Sequence, residues 1–264
     1  MYRKNIYNSD IPFIFSTHIR EYDIQKANIN ILYEAGVINL NEYNTLYSAP
    51  RIERQIYIGL LQKSNPKVVE ILSEGIIEAK RKLFESNDLK PEDILCIKND
   101  AVFVINKILN NTKFGYINFV CKNEYTSFMK CMNIEFYYKL DRVNGTDKLD
   151  IKGLGNKNID IHKNYMSDFI SYIFNIIETD SIEYVISSFK SFYDSYVNLE
   201  LPVGYYRNYD PISGYNIMNS NYVVYDVNDT YDNKRNLNIS YNLNILKQIY
   251  SYITTIYFNN NRGV

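Results

Sequence analysis

The amino-acid sequence predicts an α+β protein, and three stretches of the chain support this fold class. Residues 94–105 contain two short apolar runs of strand-forming residues around the polar triplet Lys98-Asn99-Asp100, which is the composition of a β-hairpin. Residues 66–86 carry apolar side chains at helical spacing with charged residues between them, as an amphipathic helix does. Beyond residue 160 helical spacing dominates again, so a mainly helical region follows the strands.

The size and charge of the chain limit the classes of protein to which it can belong. Its 264 residues are enough to bury a substantial core, and the apolar fraction of 46% is ordinary for a globular protein. A formal net charge of −1 means that any contact with nucleic acid would need a local basic patch. No apolar run reaches the roughly 18 residues that span a membrane, and residues 1–10 contain no apolar h-region, so we expect no signal peptide. We therefore expect a cytoplasmic protein without membrane contact.

The chain has three cysteines and two histidines, with no Cys-x-x-Cys spacing. This pattern argues against a disulfide framework and against a structural zinc site. We expect Cys96, Cys121 and Cys131 to be buried free thiols. Neither His18 nor His162 is accompanied by a recognisable serine or cysteine nucleophile, so a hydrolase triad has no support.

The first predicted strand ends in an acid. Residues 11–24 form an apolar stretch of extended character, and Asp23 lies at its end. Residues 27–35 then follow helical spacing, and Gly36 is well placed to end that helix. We therefore expect Asp23 at a strand-to-helix junction.

Two short helices are expected next, over residues 41–47 and 51–61, on either side of Ala49-Pro50. Arg51 and Arg54 lie one turn apart on the second of them. Such a pair could bind the phosphates of a triphosphate, since guanidinium groups pair well with phosphate oxygens. The alternative is a solvated helix face with no ligand.

The helix over residues 66–86 has the clearest boundaries. Asn65 can cap its start, and Pro66 suits its first position. The basic run Lys80-Arg81-Lys82 is expected to be a solvated helix end that the helix dipole favours. The helix should end near Ser86-Asn87, just before the hairpin.

The remainder of the chain is predicted to pass from strands to helices. Short strands are expected over residues 114–121, 125–131, 134–140 and 149–153. Helices are expected over residues 164–178, 181–198 and 241–258, with one further strand at 222–227. The composition changes near Asp160, which predicts an α+β domain over residues 1–160 and a mainly helical region over 161–264.

Asp23 and Asp100 are candidate metal ligands. Two-metal phosphoryl-transfer sites hold two Mg²⁺ ions between carboxylates that come from separate strands. A strand that ends in Asp23 and a hairpin tip that bears Asp100 could supply such a pair, although Asp is also a common turn residue. Whether the two carboxylates meet in space decides any functional interpretation.

The order of these elements and four short motifs resemble the palm of template-directed DNA polymerases, and family B most closely. Glu-Tyr-Asp-Ile-Gln-Lys-Ala-Asn-Ile around Asp23 looks like the first palm motif of that family. Ile-Lys-Asn-Asp-Ala-Val-Phe-Val around Asp100 looks like the second. Residues 122–125 look like the segment that tracks the nascent duplex, and Lys152-Gly153 looks like the step that contacts the primer strand.

The motifs also depart from the family pattern. Lys98 stands where the second palm motif has its first Asp, and Ala101 stands where it has Ser. An ammonium at position 98 could neutralise part of the site or take the place of a cation. The sugar-sensing Tyr of the first motif has no clean match, and Asn28 is nearest to it. The resemblance therefore implies the fold more strongly than the activity.

The resemblance implies a role for each matching residue. Asp23 and Asp100 would hold Mg²⁺, and Arg51 and Arg54 would hold the incoming nucleoside triphosphate. The primer–template would contact three residues, Lys122, Tyr125 and Lys152. Residues 1–160 would form a palm with a reduced fingers segment, and residues 161–264 would be thumb-like.

Two other classes stay open. A catalytically inactive, palm-like binding or assembly subunit of a viral complex, with protein partners, would explain Lys98. An unrelated α+β structural protein would explain why each match is short. The abundance of Ile, Asn, Lys and Tyr is typical of an AT-rich genome, which fits a virus or a mobile element.

Overall fold

The structure is a computed structural model that describes residues 6–7, 11–132, 134–153, 168–202, 205 and 230–261. The chain divides into two compact units. The first unit comprises Met1–Ile11 and Thr17–Glu124, and the second comprises Pro12–Ser16 and Tyr125–Val264. Both contain strands and helices, so the predicted α+β class is confirmed.

The first unit contains a six-stranded sheet, with strands numbered in chain order along the whole molecule. Its strands are β1 (Ile6–Tyr7), β3 (Ile19–Ile24), β4 (Ile94–Lys98), β5 (Ala101–Ile105), β6 (Lys113–Phe114) and β7 (Ile117–Tyr125). They lie in the order β1-β4-β5-β3-β7-β6. The pairs β1–β4, β4–β5, β3–β5 and β6–β7 are antiparallel. The chain therefore places β3 next to β5, although about 80 residues separate the two strands in sequence.

Four helices of the first unit connect β3 to β4. They are α1 (Ala27–Glu34), α2 (Leu40–Ser48), α3 (Arg51–Ser64) and α4 (Lys67–Ser86). The side chain of Asn39 caps α2, and Glu42 completes the capping box. Gly36 ends α1 with a φ of 68°, a backbone conformation that glycine adopts at little cost. A short 3₁₀ turn at Pro91–Asp93 leads into β4.

One face of the β3–β5 pair packs against these helices. Tyr22 of β3 and Val102 and Val104 of β5 are buried in a cluster with Leu72 and Leu83 of α4. Successive residues of a strand point to opposite faces of the sheet. Asp23 therefore projects from the face opposite to Tyr22, which is what makes its carboxylate available outside this core.

The predicted hairpin forms as expected. Lys98 pairs with Ala101 across it, and Asn99 at its tip has a φ of 48°, which Asn tolerates better than most residues. The register of β4 shifts between Ile94 and Cys96, so that one extra residue bulges on that strand. The ladder returns to regular pairing before the tip, where Asp100 lies.

Among its described residues, the second unit contains a four-stranded sheet and three helices. Its strands β2 (Phe13–Ile14), β8 (Ser127–Cys131), β9 (Ile134–Asp141) and β10 (Thr146–Lys152) lie in the order β10-β9-β8-β2. Its helices are α5 (Ile170–Thr179), α6 (Ile182–Val197) and α7 (Thr230–Asn261). A separate core joins them and includes Met129, Phe136, Ile173, Phe189 and Ile249.

Several predictions about the second half of the chain can be compared with this structure. The closing helix α7 begins at Thr230, eleven residues before the predicted start. The predicted strand at 222–227 lies outside the described residues. The compact units divide at Glu124, whereas the predicted domain boundary near residue 160 falls among residues that the structure does not describe, so that boundary stays a prediction.

The three cysteines are free, but only two are in the predicted environment. Cys96 and Cys131 are buried, and burial raises the pKa of the Cys131 thiol. Cys121 is exposed, so the expectation of burial was wrong there, because this residue lies on a solvent-facing stretch of β7. Within the described part of the chain, no helix combines the length and apolar character needed to cross a membrane.

Close packing of α1 on α4 depends on Gly75. A Cβ at this position would overlap the Cγ2 of Ile31 and lie 3.2 and 3.3 Å from two further atoms of that buried side chain. Gly75→Ala should therefore destabilise the protein by about 1–3 kcal/mol. Gly59→Ala on α3, where nothing lies within 4 Å, should instead stabilise it by up to about 1 kcal/mol. Urea unfolding of both variants measures the difference, and equal effects would contradict this packing.

Candidate active site

Asp23 and Asp100 lie next to each other in the first unit. Asp23 is opposite Ala101 in the β3–β5 ladder. The amide of Ile24 donates a hydrogen bond of 3.3 Å to the carbonyl oxygen of Asp100. Two acids that are 77 residues apart in sequence (100 − 23) are therefore neighbours at one end of two paired strands.

A cleft of about 250 Å³ is lined by both of these acids. Four cationic side chains line the same cleft: Lys26, Arg51, Arg54 and Lys122. The sequence singled out five of these six residues, and the structure brings those five together. Lys26, at the junction between β3 and α1, was missed.

Two of the three cations on the helical side of the cleft, Lys26 and Arg54, donate hydrogen bonds to backbone carbonyls. Arg54 donates to the carbonyl oxygen of Ala49 at 2.6 Å, and Lys26 donates to that of Tyr47. Burial, together with the charge of Arg54, lowers the pKa of Lys26. In the part of the chain that the structure describes, Lys26, Arg51 and Arg54 form no ion pair with a carboxylate. This side of the cleft therefore gathers positive charge that the fold does not neutralise.

The strand side of the cleft is rich in negative charge. The Nζ of Lys122, on β7, lies 2.9 Å from Oδ2 of Asp23. That hydrogen bond, and the further charges of Glu21 and Asp100, raise the pKa of Lys122. Glu21 is buried on the same face of β3 and accepts a hydrogen bond of 2.7 Å from Asn123. The Lys122 ammonium therefore lies near three carboxylates, those of Asp23, Glu21 and Asp100.

Asp100, like Asp23, is half-buried. Burial raises the pKa of its carboxyl, and the neighbouring charge of Asp23 raises it further. Lys122 and Lys80 act in the opposite direction. The ionised form of Asp100 is therefore costly to the fold, as is common for groups in functional sites.

Lys80 is buried, so the expectation that it is part of a solvated helix end was wrong. Its side chain is 1% exposed, and its Nζ donates a hydrogen bond of 2.8 Å to the carbonyl oxygen of Asn99. Burial lowers its pKa to about 8, with a small opposing effect of Asp100. The sequence did contain the signal, because Lys80 continues the apolar i, i+4 series of Leu72 and Ile76. The neighbouring Arg81 and Lys82 contact Glu78 at the helix surface, as expected.

Lys98 does not line the cleft. Its Nζ lies 5.6 Å from the centre of the Phe103 ring, at the end of β4. The two roles considered for this ammonium, to neutralise the site or to take the place of a cation, therefore receive no support from its position. The ammonium group that contacts an acid of the site is instead that of Lys122, which pairs with Asp23.

Tyr125 and Lys152 belong to the second unit. The Tyr125 ring is 2% exposed, and its hydroxyl donates a hydrogen bond of 2.7 Å to Asp150. The Nζ of Lys152 lies 5.0 Å from the centre of the Tyr137 ring. Their predicted contacts with a primer–template stay predictions.

The donor set limits how a metal could be held. The described residues contain no group of three or more His, Cys, Asp or Glu side chains placed to bind a metal. Mg²⁺ is commonly bound through one or two carboxylates together with water and substrate phosphates. Asp23 and Asp100 fit that mode, in which a phosphate ligand supplies the remaining oxygens, and they do not fit a metal cage made of protein alone.

A protein-family model described as "Bacteriophage PBS1 gene 130 protein" matches residues 1–254. No curated protein matches the chain. The match includes all of the first unit and all but the end of the second. Its description points to a bacteriophage protein, in agreement with the expected viral origin, and mentions no activity.

The raised pKa of Asp100 predicts how stability depends on pH. The folded state disfavours the ionised carboxyl, so this cost is present at neutral pH and disappears as pH falls below the ordinary aspartate value of about 4. Asp100→Asn should therefore stabilise the protein at pH 7–8, by roughly 1 kcal/mol, and have little effect near pH 4. Thermal unfolding across this pH range measures the effect.

Asp93→Asn is the matched control. Asp93 accepts hydrogen bonds from Lys107 and from the Lys90 amide, so its neutralisation should destabilise the protein at neutral pH. Destabilisation by Asp100→Asn at pH 7 would contradict the electrostatic description of the site.

Proposed function

The chain belongs to the family of the bacteriophage PBS1 gene 130 protein, and we propose that its cleft binds a nucleoside triphosphate with Mg²⁺ and transfers the nucleotidyl group, as a DNA polymerase palm does. The single observation that carries this proposal is the placement of two carboxylates and four cations in one cleft. One carboxylate comes from β3 and the other from the hairpin tip between β4 and β5, and three of the cations come from the helical side.

The helical side of the cleft suits a polyanion. The charge of Arg54 lowers the pKa of Lys26, and neither side chain forms an ion pair with a carboxylate among the described residues. Arg51 is exposed at the same rim and can move toward a ligand. A triphosphate would relieve this repulsion, because guanidinium and ammonium groups form strong, charge-assisted hydrogen bonds with phosphate oxygens.

The strand side suits a divalent cation. Asp23 and Asp100 would hold Mg²⁺ together with oxygens of the bound phosphates. The bound ion would supply neutralisation of the charge that develops during phosphoryl transfer. Arg51 and Arg54 would orient the triphosphate so that its α-phosphorus faces the acids.

The reaction that fits this arrangement is attack by the 3′-hydroxyl of a primer on the α-phosphorus. A new oxygen–phosphorus bond forms, and the bond from that phosphorus to the bridging oxygen breaks. Pyrophosphate leaves, and the hydroxyl proton passes to water. In this proposal Lys122 contacts the primer–template, as its motif implies, and Tyr125 and Lys152 would contribute only through surfaces of the second unit.

Two observations favour a second candidate function. The ion pair between Asp23 and Lys122 already occupies one of the two acids, and Lys98 replaces a further acid of the palm motif. A palm-like subunit that binds nucleotides or protein partners in a viral complex, without catalysis, would tolerate both features. This candidate predicts ligand binding without turnover.

Primer extension in the presence of Mg²⁺ separates the two candidates. Asp23→Asn and Asp100→Asn should each reduce extension at least about 100-fold, because each removes a charge that the transition state needs. Asp93→Asn, which changes an acid outside the cleft, should retain activity. Extension by Asp100→Asn at the wild-type rate would refute the assignment, and absence of extension by a wild type that binds triphosphate would favour the inactive subunit.

Triphosphate affinity tests the cationic side by itself. Arg51→Met should weaken the binding of a non-hydrolysable nucleoside triphosphate by about 10- to 100-fold, which corresponds to the loss of one charged hydrogen bond. Arg81→Met is the control, since Arg81 is an exposed arginine of α4 bound to Glu78 and Glu85. Calorimetry measures both affinities. If the two variants bound triphosphate equally well, the cationic side would have no role in binding.

A further inference from the structure

We infer that Lys80 is a positioning residue of the proposed site, which holds the backbone at the hairpin tip so that Asp100 can bind a divalent cation. This inference rests on the proposed function, in which Asp100 is a ligand. Lys80 itself does not line the cleft, so it acts through the turn and not by contact with a substrate.

The burial of Lys80 is the first observation. Among the residues whose burial is described, it is the one buried lysine or arginine. Removal of an ammonium group from water is costly unless it gains strong interactions in return. A leucine or methionine would continue the apolar series of α4 without that cost. We therefore expect the ammonium group of Lys80 to have a specific role.

The contact made by that ammonium is the second observation. Nζ of Lys80 donates to the carbonyl oxygen of Asn99, at 2.8 Å. That carbonyl belongs to the peptide group that joins Asn99 to Asp100. The next peptide group is held as well, because the carbonyl oxygen of Asp100 accepts a hydrogen bond from the Ile24 amide. Asp100 therefore lies between two peptide groups, each held by a different element.

The two elements that hold Asp100, β3 and α4, pack in the same hydrophobic core. Ile24 ends β3, and Lys80 lies in the middle of α4 between the buried residues Ala79 and Leu83. A turn at a hairpin tip is ordinarily one of the more mobile parts of a sheet. A hydrogen bond from a buried helix position restrains this turn, and a ligand of a small cation requires such restraint.

The charge of Lys80 adds to this effect. Its ammonium interacts with the Asp100 carboxyl from the helix, whereas Lys122 does so from the strand side. When a ligand draws Lys122 away from the acids, Lys80 cannot follow, because its side chain is enclosed. Lys80 therefore stays beside the proposed metal ligand, at the Asn99 carbonyl oxygen.

The test compares three variants of the full chain with wild type. Lys80→Met keeps the volume and removes both charge and donor, Lys80→Arg keeps both, and Lys82→Met changes an exposed lysine of the same helix. Paramagnetic resonance of Mn²⁺, with a non-hydrolysable nucleoside triphosphate at a fixed concentration, measures the affinity for a divalent cation, and thermal unfolding measures the fold. Amide hydrogen exchange at Ile24 reports on the mobility of the hairpin tip.

A positioning role predicts opposite responses of stability and binding. Lys80→Met should unfold at or above the wild-type temperature, since a buried charge is gone, yet bind Mn²⁺ about 10- to 100-fold more weakly. Lys80→Arg should recover most of the affinity, and Lys82→Met should behave as wild type in both measurements. Wild-type Mn²⁺ affinity in Lys80→Met would overturn the inference, as would a joint loss of affinity and fold.

The proposed function and this inference can fail separately. If the wild type binds no Mn²⁺ in the presence of the triphosphate, the metal site of the proposed function is refuted, and exchange at Ile24 decides the role of Lys80. Faster exchange in Lys80→Met, but not in Lys80→Arg or Lys82→Met, would support control of the turn by Lys80. Equal exchange in all four proteins would overturn it.

Discussion

The antiparallel pairing of β3 with β5 is the constraint on which the proposed site depends. It aligns Asp23 with Ala101 and thereby brings the end of the first long strand beside the hairpin tip that bears Asp100. The strands alternate between a face packed on the helices and a face that carries Glu21 and Asp23. A slip of one residue would bury Asp23 in the apolar core. The packing of Tyr22 and Val102 therefore fixes the register that the site needs.

The charges in the cleft are arranged in a way that contributes little to the stability of the fold. Lys26 and Arg54 repel each other, and Asp23 and Asp100 do the same on the opposite side. Lys122 and Lys80 compensate the acids, one through an exposed ion pair and the other through a buried contact with the turn. Proteins retain such costly groups mainly where a ligand interacts with them, which is why the cleft is the preferred candidate for function.

Much of the local structure could be predicted from the sequence, because it follows from periodicity and turn chemistry. The hairpin, the strand-to-helix junction at Asp23 and the end of α4 at Ser86 lie where expected. Predictions that depended on packing were less successful. Lys80 was expected in solvent and Cys121 in the core, and both expectations were wrong. The burial of a single side chain depends on which other segment packs against it, and local sequence does not record that. Arg51, Arg54 and Lys122 line one cleft with the two acids, although only a likeness of motifs had linked them.

The sequence by itself determined the fold class, most of the helices and strands, and most of the charged residues that are candidates to bind metal or phosphate. These properties depend on neighbours within a few turns or a few strand residues, which composition and spacing record directly. Only the tertiary structure decided that Asp23 and Asp100 are adjacent, that Lys26 completes the cationic side, and that Lys80 reaches the hairpin tip. Those relations join residues 19 to 77 positions apart, and they arise from strand register and helix packing, which no local pattern specifies.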